Sequence, residues 1–173
     1  KGVSVNCTGI HGEQTIEQAL ANSCNCVFGQ IALELGPDIL AQYAEKLGIT
    51  QQLKLDSITT AAGNYDKDSS MSASMAWSGI GQYNDLVSPY AMMRLVSAFA
   101  NDGTVVEPSL LGISNTKTEL ISADTAQKVS AMMNYNVVYK YGSSTFPGLN
   151  ISAKTGTAEV GDGKDSHGWF VGL

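Results

Sequence analysis

The residues best equipped for chemistry stand near the end of the chain, in Ala153-Lys154-Thr155-Gly156-Thr157-Ala158. Alone, a lysine in a half-buried strand is a solvated edge residue that discourages strand-to-strand aggregation. Its neighbours point further. Gly156 weakens a strand and marks a place where a ligand or another backbone comes close. Thr155 and Thr157 add two hydroxyls. A cation, two hydroxyls and an exposed strand backbone make a receptor for a peptide carboxylate lying along the strand edge.

Two Ser-x-Asn triplets precede this segment, Ser4-Val5-Asn6 and Ser23-Cys24-Asn25. Ser4 reads as an ordinary strand or loop residue. Ser23 lies between one helix and the start of the next, where a serine is either a helix cap or a functional hydroxyl. The single Ser-x-x-Lys, Ser114-Asn115-Thr116-Lys117, stands in a polar, turn-like stretch and reads as loop chemistry. Cys7, Cys24, Cys26 and His11 can be written as a zinc set. However, Cys24 and Cys26 are closer in sequence than the usual ligand spacing, so small thiols are the better reading and no metal is assigned. Cys7 and Cys24 are expected near one another, both bordering the helix that begins after Thr15, and both as thiols.

These groups need a frame, and the helical signals supply one. Thr15-Ile16-Glu17-Gln18 has the form of a capping box. Phe28, Ile31, Ala32 and Leu35 recur at helical spacing within 26–35 and stop at Gly36-Pro37. Asp38 is placed as the cap of the next helix, with Ile39, Leu40, Tyr43 and Leu47 inward and Gly48 at its end. Ser88-Pro89 opens a helix through Ala100, Asn101-Asp102-Gly103 is a turn, and Ser122 caps a helix towards Tyr135. Residues 57–82 lack periodicity and read as a long surface loop. Clear strands are expected only at about 150–158 and 167–173, as an antiparallel hairpin. The fold class is therefore α+β and helix-rich.

The totals bound the function. Length suits one domain with a real core, and 43% hydrophobic against 15% charged residues excludes a disordered tail. A net charge of −6 argues against nucleic acid as a partner. No apolar run approaches the roughly 20 residues that span a bilayer. Nothing in the composition calls for a cofactor.

Taken in order, several segments resemble the penicillin-binding transpeptidases, which share the motifs S-x-x-K, S-x-N and K-T-G with the serine β-lactamases. "AKTGTA" and "HGWFVGL" look like their third and fourth sheet strands. "HGEQTIEQALANSCNCVFGQIALELG" is similar to their S-x-N region, "WSGIGQYNDLVSPYAMMRLVSAFANDGTVVEP" to the Gly-x-Gly-Gln segment and the helix after it, and "NVVYKYGSSTFPGLNISAKTGTAE" to the approach to K-T-G.

The resemblance implies an antiparallel sheet flanked by helices and a serine acyl-enzyme that cross-links peptidoglycan stem peptides and is captured by β-lactams. It implies Ser23 as a proton relay, Asn25 on the substrate amide and Lys154 as the electrostatic centre. Thr155, Gly156 and Thr157 would form the carboxylate site, with the Thr157 N–H as an oxyanion donor. No S-x-x-K precedes Ser23. The expectation is a single partial domain over 1–173, the carboxyl-side portion, lacking the nucleophile motif and the last strand, inactive by itself and inclined to self-associate. The parent would be extracytoplasmic and anchored to the bacterial membrane by a segment absent here. A β-lactamase or penicillin sensor of the same fold is an alternative, and a non-catalytic binding or zinc module is another.

Overall fold

A computed structural model describes residues 4–67, 72–112, 115–161 and 163–173. Six helices and three two-stranded antiparallel sheets form among them. The first three helices are α1 (Ile16–Ala21), α2 (Asn25–Leu35) and α3 (Pro37–Lys46). The capping box at Thr15 closes in both directions, with Thr15 Oγ1 accepting from Gln18 N–H and Gln18 Oε1 accepting from Thr15 N–H. Helix α3 starts two residues earlier than expected, at Pro37 and not after Asp38. Gly36 is its cap and Pro37 takes the first position, which needs no N–H donor, so Asp38 sits in the first turn beside the positive helix end instead.

The stretch 57–82 is more ordered than its composition suggests. Strand β1 (Lys54–Leu55) pairs with β2 (Ile58–Thr59), and α4 (Ser72–Ser78) follows. Ser, Ala and Gly give α4 no apolar stripe, yet they let it pack closely on α2. A side chain at Gly79 would meet Ala32 Cβ at 2.2 Å, and Ala76 lies against Gly29. Small residues are thus a packing device here and not a sign of disorder.

Helix α5 (Pro89–Ala100) is capped by Ser88, whose hydroxyl accepts from Ala91 N–H. The Asn101-Asp102-Gly103 turn leads into β3 (Thr104–Val106). Gly103 has φ 83° there, and a side chain would strike Ile121 O. Strand β3 pairs with β4 (Lys117–Glu119), so Lys117 belongs to a strand and not to a turn; Ser114 lies outside the described residues. Ala98, Val105 and Leu120 form a buried cluster against Leu47. Buried Arg94 makes a two-pronged ion pair with Glu107, at 2.8 Å and 2.5 Å, tying α5 to the end of β3.

Helix α6 (Ala123–Asn136), capped by Ser122, runs into a π-helical turn, Val137–Tyr141. Strands β5 (Ala153–Ala158) and β6 (His167–Gly172) then form the expected hairpin. It is held to the body through α5 and α6.

Candidate active site

The site forms where three segments distant in sequence meet: the α1–α2 turn, the π-helical turn after α6, and β5. Ser23 occupies the turn in the left-handed region, φ 50°, with its N–H donating to Leu20 O. It is not a cap for α2; Cys24 holds that position and makes no side-chain capping bond. The left-handed backbone turns the Ser23 hydroxyl outward, and Lys154 Nζ reaches it at 2.5 Å. Lys154 also donates to Thr155 O at 2.8 Å. Partial burial lowers the Lys154 pKa from the ordinary lysine value, with Tyr141 opposing that shift. A desolvated ammonium against a hydroxyl can pass a proton in either direction.

The register of the hairpin fixes which backbone groups of β5 face outward. Ser152 and Leu173 exchange both hydrogen bonds, so Lys154, Gly156 and Ala158 also face β6. Ala153, Thr155 and Thr157 therefore turn their N–H and C=O groups to the opposite edge. Side chains cover much of that edge. Ala153 O accepts from the buried Asn136 Nδ2 at 2.7 Å, Thr155 N–H donates to Tyr141 OH at 2.8 Å, and Thr157 O accepts from Gln82 Nε2 at 3.1 Å. Among the described residues the Thr157 N–H has no partner. An extended peptide joining this edge by strand addition would have to displace Tyr141 and Gln82 from Thr155 N–H and Thr157 O.

Thr155 Oγ1 shares a hydrogen bond with Tyr141 OH at 2.9 Å. Burial raises the Tyr141 pKa, but bonds from Thr155 and Asn136 and the Lys154 charge outweigh it, and the net direction is down. Gly156 is exposed, and a Cβ there would meet only Trp169 Cβ at an ordinary 3.6 Å. The chain itself does not require glycine at this position. Asn25 opens α2 beside Ser23, where its Nδ2 donates to Asn6 O at 2.9 Å.

Ser23, Lys154 and Thr155 are thus brought into direct contact with one another or with Tyr141; Asn25, Gly156 and Thr157 flank them. Tyr141 and Asn136 escaped the sequence reading, which gave Gln82, the last residue of the Gly-x-Gly-Gln segment, no role. Each lies in a stretch that resembles the family, but no spacing ties a tyrosine after α6 to a strand that begins 12 positions on. Cys7, His11 and Cys24 have their sulfur and nitrogen atoms within 4.8 Å of one another, whereas Cys26 stands outside that group.

With this geometry in place, comparison with known proteins defines the class. Residues 4–173 match the penicillin binding protein transpeptidase domain, and the chain belongs to that family. Among curated relatives, peptidoglycan D,D-transpeptidase PbpA of Mycobacterium tuberculosis is 25% identical over 91% of this chain. Penicillin-binding protein 3 of Bacillus subtilis is 26% identical over 91%. The chain spans 35% of the first and 25% of the second. Among solved structures, a D,D-transpeptidase domain from Eggerthella lenta superposes with a TM-score of 0.80 at 26% identity, over 95% of this chain and 46% of that one. The imipenem acyl-enzyme complex of M. tuberculosis penicillin-binding protein A gives 0.82 at 24% identity, over 95% of this chain and 40% of that one, and supports the fold alone. The α+β class and the family expected from the motifs both hold.

Proposed function

We infer that the protein containing this chain is a peptidoglycan D,D-transpeptidase and a target of β-lactams. The observation that carries the reading is the contact of Lys154 Nζ with Ser23 Oγ beside the Thr157 N–H of β5. A serine nucleophile attacks the carbonyl of the D-Ala-D-Ala bond, D-Ala leaves, and an amine from a second stem peptide resolves the acyl-enzyme. That serine lies outside residues 1–173, because no S-x-x-K opens an apolar helix before Ser23.

In this scheme Ser23 hands a proton to the departing amine, and Lys154 supplies and stabilises it; partial burial of the ammonium eases the transfer. Thr155 and Thr157 hold the terminal carboxylate, with Gly156 giving the substrate backbone room to approach. The unpartnered Thr157 N–H is one oxyanion donor, and the nucleophile's own N–H is the other. Asn25 orients the substrate amide after exchanging its bond to Asn6. Such chemistry belongs outside the cytoplasm, with membrane anchoring through a segment beyond this chain.

Fluorescent penicillin tests the proposal. The full-length protein is expected to label at one serine upstream of Lys1 and to release D-Ala from a stem-peptide mimic. The isolated chain is expected to stay unlabelled, since Ser23 acts in this scheme as the proton relay and not as the nucleophile. A stoichiometric adduct on residues 1–173, or no adduct on the full-length protein, would refute it.

A further inference from the structure

The segment before α1 crosses the start of α2, and sulfur is prominent at the crossing. Cys7 Sγ lies 3.4 Å from Cys24 Sγ, and Cys7 Sγ also accepts from Cys26 N–H at 3.4 Å. Asn25 Nδ2 holds Asn6 O beside them. Cys24 is buried and is the middle residue of Ser23-Cys24-Asn25; Cys7 is half-buried and Cys26 exposed. A ring nitrogen of His11 lies within 4.8 Å of both Cys7 and Cys24 sulfurs, and His11 Nδ1 is buried without a partner among the described residues.

We propose that Cys7 and Cys24 are a redox pair whose disulfide clamps the Ser23-Cys24-Asn25 turn to the segment preceding α1. The two sulfurs are not bonded to one another in this structure. Closing the clamp brings two sulfurs already in contact to about 2.05 Å. Zinc fits less well: Cys26 Sγ lies outside the trio and approaches Val5 O at 3.9 Å, so a closed four-ligand set is not assembled.

The chemistry is thiol–disulfide exchange with a small disulfide such as glutathione disulfide. Cys7, the more accessible thiol, loses its proton to His11 and attacks, releasing one glutathione thiolate. Cys24 Sγ then attacks Cys7 Sγ of the mixed disulfide and releases the second. Two protein thiols lose two electrons and two protons, and one small disulfide becomes two thiols. The bond joins residues 17 positions apart and spans the turn that carries Ser23. It therefore ties the turn that carries Ser23 to the irregular segment before α1. Only the expectation of an oxidising surrounding rests on the extracytoplasmic reading; the pairing rests on distance.

The test uses the chain as it stands, equilibrated with excess glutathione disulfide. The thiols of Cys7 and Cys24 should be lost with no glutathione retained on either, while exposed Cys26 takes up at most one glutathione. Cleavage after glutamate should yield a cross-linked pair of fragments, one carrying Cys7 and the other Cys24. Cys26→Ser should oxidise like the wild type, and Cys7→Ser should form no such link. The oxidised chain should melt about 5–10 °C higher, from the closed loop, and amides 22–26 should exchange at least about tenfold more slowly. Cys7 and Cys24 thiols persisting at equilibrium, a link through Cys26, or one zinc bound by the reduced chain that blocks oxidation would each overturn the proposal. None of these readouts depends on catalysis, so failure here leaves the transpeptidase reading standing, and absent penicillin labelling leaves this pair standing.

Discussion

Lys154 Nζ and Ser23 Oγ stand 2.5 Å apart although the residues are 131 positions apart in sequence. The contact joins the α1–α2 turn to the edge of β5, and the left-handed Ser23 backbone presents the hydroxyl. In the full-length protein, Lys154→Met and Ser23→Ala should each slow acylation by a β-lactam by about 10²–10⁴. The double variant should be little worse than either single one, because the two groups act as a unit. Second-order acylation rates measure this, and additive losses would separate the roles.

Gly156 is free of steric demands from the chain itself, so its role is exposed by adding a methyl. Gly156→Ala should leave the melting temperature of the chain within about 2 °C, as expected of a surface change. In the full-length protein it should reduce β-lactam acylation at least about tenfold by filling the approach to the strand edge. A large drop in stability would instead mark Gly156 as a packing residue.

Asp85 gives a pH dependence with a defined sign. Burial raises its pKa to about 6 from the ordinary 3.8; bonds from Asp66 N–H and Ser78 Oγ oppose the shift, and the Asp66 charge adds to it. Between those values the folded chain holds a proton that the unfolded chain releases, so this contribution to stability is lost as pH rises through 6. Asp85→Asn keeps the accepting oxygen and removes the titration. It should flatten the stability profile between pH 4 and 6 and add about 1 kcal/mol at pH 7, discounted for partial exposure. Urea midpoints across that range are the measurement.

The Arg94–Glu107 pair should be costly to break and cheap to replace. Glu107→Leu leaves a buried guanidinium unpaired and should destabilise by about 3 kcal/mol. Adding Arg94→Met should recover most of that loss. Denaturant unfolding of the single and double variants decides it, and a double variant no better than Glu107→Leu would show that the pair does more than neutralise itself.

Self-association follows from an open apolar groove of about 410 Å³ between α5 and β6, lined by Met92, Met93, Val96, Trp169 and Phe170. Phe170 and Met93 remain about half exposed, at 54% and 48%. At micromolar concentrations the chain should sediment above monomer mass, since such surface favours coverage by another copy. Phe170→Ser should shift it towards monomer. A monomer at every concentration would count against the groove as a contact.

The sequence by itself determined the helices with strong local signals: the Thr15 box, the Ser88-Pro89 start and the Ser122 cap all formed where side chain and backbone satisfy each other within one turn. It also determined the hairpin and the motif residues, because order along the chain carries the family likeness. The long 57–82 stretch misled, since α4 owes its existence to close contact with α2 at Gly29, Ala32 and Gly79, and propensity registers no such contact. The roles of Tyr141, Gln82 and Asn136 were hidden for a related reason. Each residue serves a backbone group of β5 from another element, a relationship with no sequence spacing. Only the tertiary structure decided which edge of β5 is covered and that Ser23 meets Lys154. Hydrogen-bond phase across a hairpin and the approach of distant turns are set by packing the whole chain, not by neighbours along it.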